Sequence, residues 1–170
     1  KTATENTVTG LNLARAEALR RNMAVNFYFV SDLTSACTLS STAANWVVSL
    51  ASPASLCHVV PVDAADTSAP TGADPKIVQK FSGQQGGGNA TVAAFLADGA
   101  TASTTVTFNG LGRVTGNSAA WIDVKNSTGA CEHDATPGPM RCLRILISTG
   151  GQARVCHPKV TAATDPRKCP

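Results

Sequence analysis

Charged side chains, aromatic side chains and long apolar runs are all scarce in this sequence. Only 15% of its 170 residues are charged and 5% are aromatic. The best apolar run, residues 24–30, is far shorter than the about 18 residues that a membrane-spanning helix needs. No two cysteines have the two-residue spacing typical of zinc ribbons and thioredoxin sites. These absences argue against a membrane span within the given residues, and against a zinc-ribbon or dithiol redox function.

The six cysteines indicate a disulfide-bonded protein from an oxidising compartment, because they are even in number and lie among loops rich in small polar residues. Six cysteines allow many pairings, and reduced buried thiols are the alternative interpretation. Each bridge between sequence neighbours would stabilise the fold by about 3 kcal/mol in the chain-entropy model. The sequence begins at Lys1 without a signal peptide, so we expect a targeting segment ahead of it. The predicted pairs are those nearest in sequence: Cys37–Cys57, Cys131–Cys142 and Cys156–Cys169.

Residues 5–23 are predicted to form one amphipathic helix. Apolar residues recur there at steps of three and four and produce a single narrow stripe. Small alanine side chains at the centre of the stripe allow close approach to a flat partner, so we expect the helix to pack on a β-sheet. The predicted packing residues are Val8, Leu11, Ala14 and Ala18.

After the helix the apolar pattern changes to that of β-strands. The candidate strands are residues 24–30, 45–50, 76–81, 104–109, 120–125, 142–148 and 152–156. The turn Thr149-Gly150-Gly151 joins the last two into a C-terminal hairpin. Strands without intervening helices indicate antiparallel pairing. We therefore predict an α+β fold in a single domain, residues 1–170, with the helix in residues 1–23 and a β-rich head in residues 24–170.

The glycine-rich segment 82–89 is predicted to be a mobile hairpin tip. It lacks the Lys-Ser/Thr pair of a phosphate-binding loop, and no helical pattern follows it directly.

The polar residues give little support for catalysis. His58, His133 and His157 each follow a cysteine closely, where a histidine in a disulfide-pinned loop is usually a surface residue. No serine lies in a nucleophile elbow, and an even cysteine count argues against a free thiol nucleophile. We predict that the protein is not an enzyme and uses no metal or cofactor.

Positive charge is concentrated in the last 30 residues, where six basic residues accompany one acidic residue, Asp165. The guanidinium fork of arginine binds phosphate in a bidentate manner, so this region is a candidate for weak DNA binding. No aromatic residues are interleaved, so binding would be independent of base sequence. The alternative is a solvated basic edge that shields an exposed strand. The candidate DNA-binding residues are Arg141, Arg144, Arg154, Arg167 and Lys168.

Three motifs resemble those of the GspH/FimT family, which comprises minor pilins of type IV pili and minor pseudopilins of type II secretion. Residues 6–22 and the strand that follows resemble the helix-to-strand signature of the family. Val106-Thr-Phe-Asn-Gly-Leu-Gly-Arg113 resembles its F-x-x-x-G-R strand and turn. Residues 151–156 and 165–169 are similar to the closing hairpin and cystine of the FimT/FimU branch, whereas residues 35–100 match nothing specific.

The resemblance implies a type IV pilin-like fold and a structural role. Family members carry an apolar N-terminal helix half that anchors them in the bacterial inner membrane, facing the periplasm, before they enter the pilus at the cell surface. The implied partners are other minor pilins and the major pilin, with which the protein would prime assembly and sit at the tip.

FimT-like members also bind DNA during natural transformation, through a Gly-Arg-x-Arg motif. This motif corresponds here to Gly151, Gln152, Ala153 and Arg154. Glutamine replaces the first arginine of the motif, which removes one positive charge and one guanidinium fork. We therefore expect the structural role first and treat DNA uptake as the alternative function. A type II secretion pseudopilin is the other alternative.

Overall fold

The computed structural model describes residues 2–86 and 88–170. In this part of the chain one long helix, one short 3₁₀ helix and nine strands follow one another. They are α1 (Thr2–Arg21), β1 (Val25–Val30), β2 (Asn45–Ser49), β3 (Ile77–Phe81), the 3₁₀ helix (Gly83–Gly86), β4 (Ala90–Phe95), β5 (Thr105–Phe108), β6 (Val114–Thr115), β7 (Trp121–Asn126), β8 (Leu143–Ile147) and β9 (Ala153–Cys156).

The strands form two antiparallel sheets, and α1 packs against both of them. The first sheet has the order β3-β2-β1-β5-β6 and the second has the order β4-β7-β8-β9. One buried apolar cluster includes residues of α1 and of both sheets. The predicted α+β fold, with an N-terminal helix on antiparallel sheets and a C-terminal hairpin, is confirmed.

The buried stripe of α1 contains Leu11, Ala14 and Ala18, whereas Val8 lies at its margin and is only partly buried. Gly10 is also in the stripe, and a Cβ there would come within 2.9 Å of the Phe27 and Trp46 rings. The absence of a side chain at this position therefore lets the helix approach the aromatic residues of the first sheet.

The second sheet has an inner and an outer face. Ile122, Val124 and Ile145 belong to the buried cluster that includes α1. Because side chains alternate along a strand, the residues between them point the other way. One row of cross-strand neighbours on the outer face consists of Phe95, Trp121, Leu146 and Arg154.

Two strands were missed by the sequence analysis, and one turn was assigned wrongly. Strand β4 is rich in alanine, which has low β-propensity, and β6 is only two residues long. The prediction of a hairpin tip at residues 82–89 is wrong, because the strands on either side, β3 and β4, belong to different sheets. This segment connects the two sheets, and its residue Gly87 lies outside the described residues.

Three disulfides join Cys37–Cys57, Cys131–Cys142 and Cys156–Cys169, the pairing between sequence neighbours. The last one fastens the C-terminal tail, residues 157–170, to the end of β9. Within the described ranges, no helix combines the length and the apolar character that crossing a membrane requires.

Candidate functional site

The guanidinium group of Arg144 is already occupied by a carboxylate of the protein itself. Arg144 on β8 lies opposite Asp123 on β7, with Nε 2.5 Å from Oδ1 and Nη2 2.9 Å from Oδ2. The hydrogen bonds to Asp123 raise the pKa of Arg144. The same guanidinium group lies 4.4 Å from the centre of the Trp121 ring, which is a cation–π distance. Arg144 therefore stabilises the outer face of the second sheet and has little capacity to bind phosphate.

Arg167 is also paired, although its side chain is exposed. Its Nε and Nη2 atoms donate to the Asp165 carboxylate at 3.0 and 2.7 Å. These hydrogen bonds lower the pKa of Asp165 to about 2. The carboxylate is thus ionised at neutral pH and neutralises the arginine.

Arg154 and Lys168 are the predicted cations that remain available near the tail. Both line a cleft of about 320 Å³ between β9 and the tail, which Asp165 also lines while its carboxylate is held by Arg167. Arg154 is exposed, and neither side chain has an acidic partner among the residues that the structure describes. Their positive charge is therefore open to an anionic partner.

Arg141 does not line that cleft, although its charge acts on His157, as the charge of Arg167 does. It is exposed and lines a cleft beside Ala3 and Thr4, at the first turn of α1. The five predicted cations thus differ in their availability: two are paired with carboxylates, two share a cleft, and Arg141 lines another cleft. Sequence reasoning missed Asp123 as a partner, because strand register determines that contact and no local pattern indicates it.

The segments that carried the family resemblance meet at one point. Arg15 of α1 donates from Nε to the carbonyl oxygen of Gly112 at 3.1 Å. A Cβ at Gly151 would overlap that same oxygen, and Gly151 has a φ of +81°, which favours glycine. The backbone N–H of Val114 donates to Thr149 at 3.0 Å. The helix, the turn after β5 and the β8–β9 turn are therefore packed directly against one another.

His157 and a cluster around His133 are further titratable groups near disulfides. His157 is 6% exposed, and burial lowers its pKa. Cys131, His133 and Asp134 place potential ligand atoms within 4.8 Å of one another, but Cys131 is in a disulfide and offers no thiolate. The cluster therefore gives no argument for a metal site, and the absence of catalysis and of cofactors stays a prediction.

The family model described as Type II transport protein GspH matches residues 3–151. The chain belongs to the GspH family. The matched residues include Arg15, Gly112 and Gly151, which meet in the fold, whereas Arg154 and Lys168 lie beyond the match.

The structure of this GspH-family protein is similar to crystal structures of the type IV minor pilin FimU of Pseudomonas aeruginosa strain PAO1. The structure in space group P21 has a TM-score of 0.50 and 16% identity, and the match covers 90% of this chain and 84% of that chain. The structure in space group P65 has a TM-score of 0.43 and 17% identity, and the match covers 90% of this chain and 89% of that chain. At 16% identity, the likeness to the P21 structure shows a shared fold. No curated protein sequence matches significantly.

Proposed function

We propose that this GspH-family chain is the head of a minor pilin of a type IV pilus, a structural subunit that primes assembly and lies at the tip. Its partners would be other minor pilins and the major pilin. The observation that carries this proposal is the exposure of three apolar residues near the C-terminal end of α1, namely Leu19, Met23 and Leu111. Leu19 lies against Gly112, the neighbour of Leu111 in the turn after β5. Leu19 is 50% exposed and Leu111 is 72% exposed. Exposed apolar clusters on a soluble surface favour docking to another protein.

The proposal treats residues 1–170 as a single domain, because one buried cluster joins α1 to both sheets. It also requires an apolar helical segment in line with α1, which would hold the protein in the inner membrane before assembly. The head would then face the periplasm, where disulfides form and persist. After assembly it would lie at the cell surface in the pilus.

The test is made in the host bacterium. Deletion of the gene should abolish or reduce surface pili in electron micrographs, and the wild-type gene should restore them. A Leu19→Glu, Leu111→Glu variant should fail to restore them, because charges would replace the apolar contact. Val60→Glu is the matched control, since Val60 is 77% exposed and belongs to a loop after β2. If the deletion strain has normal pili but a defect in protein secretion, the proposal is wrong. The protein would then be a pseudopilin of type II secretion, the role that the description of the family model suggests.

A second candidate function, DNA binding, is favoured by one observation, namely that Arg154 and Lys168 share a cleft without an acidic partner. Two cations predict weak, salt-dependent and sequence-independent binding, with a dissociation constant of about a micromolar or weaker. Fluorescence titration with duplex DNA at two salt concentrations tests this. The variant Arg154→Gln, Lys168→Gln should lose binding, whereas Arg113→Gln, at an exposed arginine outside this cleft, should retain most of it. Tight binding that salt does not weaken would contradict this electrostatic account.

A further inference from the structure

We propose that a second cleft, on the outer face of the second sheet, binds an extended peptide segment of a neighbouring pilin subunit that carries a carboxylate beside an apolar side chain. We call this the Trp121 cleft. It has a volume of about 430 Å³, and its lining includes Ala97, Ala120, Trp121, Leu146, Gln152 and Arg154. This inference rests on the proposed function and names a surface and a partner chemistry for it.

The floor of the Trp121 cleft is apolar and firmly held. Trp121 and Leu146 are direct cross-strand neighbours on β7 and β8. The Arg144 guanidinium lies over the Trp121 ring, and Gly99 packs so closely against the ring that a Cβ there would overlap it. A side chain that is already fixed loses little conformational entropy when a ligand covers it. The floor is therefore a ready surface for one apolar side chain.

The rim of the cleft has a charge that nothing in the described part of the chain neutralises. Arg154 is the cross-strand neighbour of Leu146 and is exposed. Arg144 and Arg167 each hold a carboxylate with two hydrogen bonds, whereas Arg154 has no ion pair in the described part of the chain. Pro170 also lines the cleft, but its carboxylate forms no ion pair with Arg154, and the lining includes no Asp or Glu. A carboxylate supplied by another molecule would complete at Arg154 the pairing that the other two arginines already have.

The arrangement favours a peptide over nucleic acid. A phosphate backbone would neutralise Arg154 but would leave Trp121 and Leu146 exposed. An acidic peptide with an apolar side chain would pair with Arg154 and would also cover Trp121 and Leu146, and burial of apolar surface favours binding. The outer face also points away from the face that packs on α1, so the cleft stays open when the helix side of the molecule is in contact with other subunits.

The first experiment uses the isotope-labelled chain and a synthetic peptide with a central phenylalanine flanked by aspartates. Titration should move the Trp121 indole N–H signal saturably, while the Trp46 signal stays in place because Trp46 is only 4% exposed and lies in the core. Peptides with lysine in place of aspartate, or alanine in place of phenylalanine, should bind at least about fivefold more weakly.

Variants separate the two parts of the site. Arg154→Gln and Leu146→Ser should each weaken peptide binding about three- to tenfold, and an unchanged Trp46 signal checks that each variant is folded. Arg141→Gln removes the same charge outside the Trp121 cleft and should bind as the wild type does. Equal binding of the aspartate and lysine peptides would overturn the proposal. The proposal would also be overturned if duplex DNA displaced the peptide and the Leu146→Ser variant bound the peptide fully. The surface would then bind phosphate and would not depend on its apolar floor.

Counting surface pili in the host separates this inference from the proposed function. Arg154→Gln with Leu146→Ser should lower the number of pili relative to Arg141→Gln. Normal pili in this double variant, with pili absent from the deletion strain, would refute the cleft and leave the minor pilin role standing. Normal pili in the deletion strain would refute the minor pilin role itself.

Discussion

Arg144 and Asp123 face each other across strands β8 and β7 and are joined by two hydrogen bonds, of 2.5 and 2.9 Å. This pair changes the interpretation of the basic C-terminal region. The six basic residues of that region suggest a continuous positive patch, but the pair neutralises an arginine in the middle of the sheet. The charge that remains available lies at Arg154 and Lys168, on β9 and in the tail, and at the exposed Arg141 beside another cleft.

Replacing Arg144 with glutamine should therefore destabilise the fold. Asp123 is 8% exposed and would lose both charged hydrogen bonds. We expect the free energy of unfolding to fall by about 1.5–3 kcal/mol, measured by urea denaturation. Arg154→Gln is the matched control and should change stability by less than about 0.5 kcal/mol. Equal, small effects of the two substitutions would show that the Asp123 pair contributes nothing to stability.

Replacing Gly151 with alanine should also be destabilising. The residue has a φ of +81°, and a Cβ would overlap the Gly112 carbonyl oxygen that accepts the Arg15 hydrogen bond. Thermal unfolding should show a loss of about 2 kcal/mol or more. Gly150→Ala is the control, because the nearest atom to its Cβ would be the Ser148 hydroxyl oxygen at 3.7 Å. A stable Gly151→Ala variant would show that the β8–β9 turn moves away from Gly112 without cost.

Mild reduction should open Cys156–Cys169 before the other two disulfides. Cys169 is partly exposed, whereas the other cysteines are at most 3% exposed, so a reductant reaches Cys169 first. Labelling of new thiols and peptide mass spectrometry will identify the order. The unreduced protein should contain no free thiol. Two or more free thiols, or earlier labelling of Cys37 and Cys57, would contradict this prediction.

Stability should fall as the pH drops below about 6.5. Burial lowers the pKa of His157, and the positive charges of Arg141, Arg167 and His133 act in the same direction, while Glu132 opposes them. The folded state therefore prefers the neutral imidazole, and the unfolded state takes up the proton first. The stabilisation is present above the unfolded pKa and is lost as the pH falls through that value towards the folded pKa.

Melting temperatures at pH 7.5 and pH 5 will measure this effect. His157→Asn is the comparison, because its amide oxygen can accept the Lys159 N–H that His157 Nδ1 accepts at 3.3 Å. The wild type should lose more stability on acidification than the variant. An equal loss in both proteins would assign the pH dependence to other groups.

Parts of the fold follow from local pattern. The apolar period that predicted α1 also identified Leu11, Ala14 and Ala18 as buried, because a helix repeats every 3.6 residues wherever it lies. The same period did not identify Thr7 or Gly10, which are buried as well. Thr7 is tolerated because its hydroxyl donates to the Ala3 carbonyl oxygen at 2.9 Å, and Gly10 is needed because aromatic rings lie against it. Neither the hydrogen bond of Thr7 nor the aromatic contact of Gly10 follows from the apolar period of the sequence.

The division into two sheets also lies beyond local pattern. The sequence predicted most strands within a residue or two, but it missed β4, which pairs with β7 and buries Val92 and Ala94 in the apolar cluster that both sheets share. It could not show that β3 and β4 belong to different sheets, because strand partners are chosen by contacts between residues far apart in sequence.

By itself, then, the sequence determined the long helix, the closing hairpin, the abundance of cysteine and the family motifs, since each of these depends on spacing between near neighbours. Only the tertiary structure decided which arginines are free. Arg144 and Arg154 lie on adjacent strands, and the register of β8 against its two neighbours places one of them opposite Asp123 and the other beside Leu146 at an open cleft. Charge depends on composition, but the availability of that charge depends on what the fold places beside it.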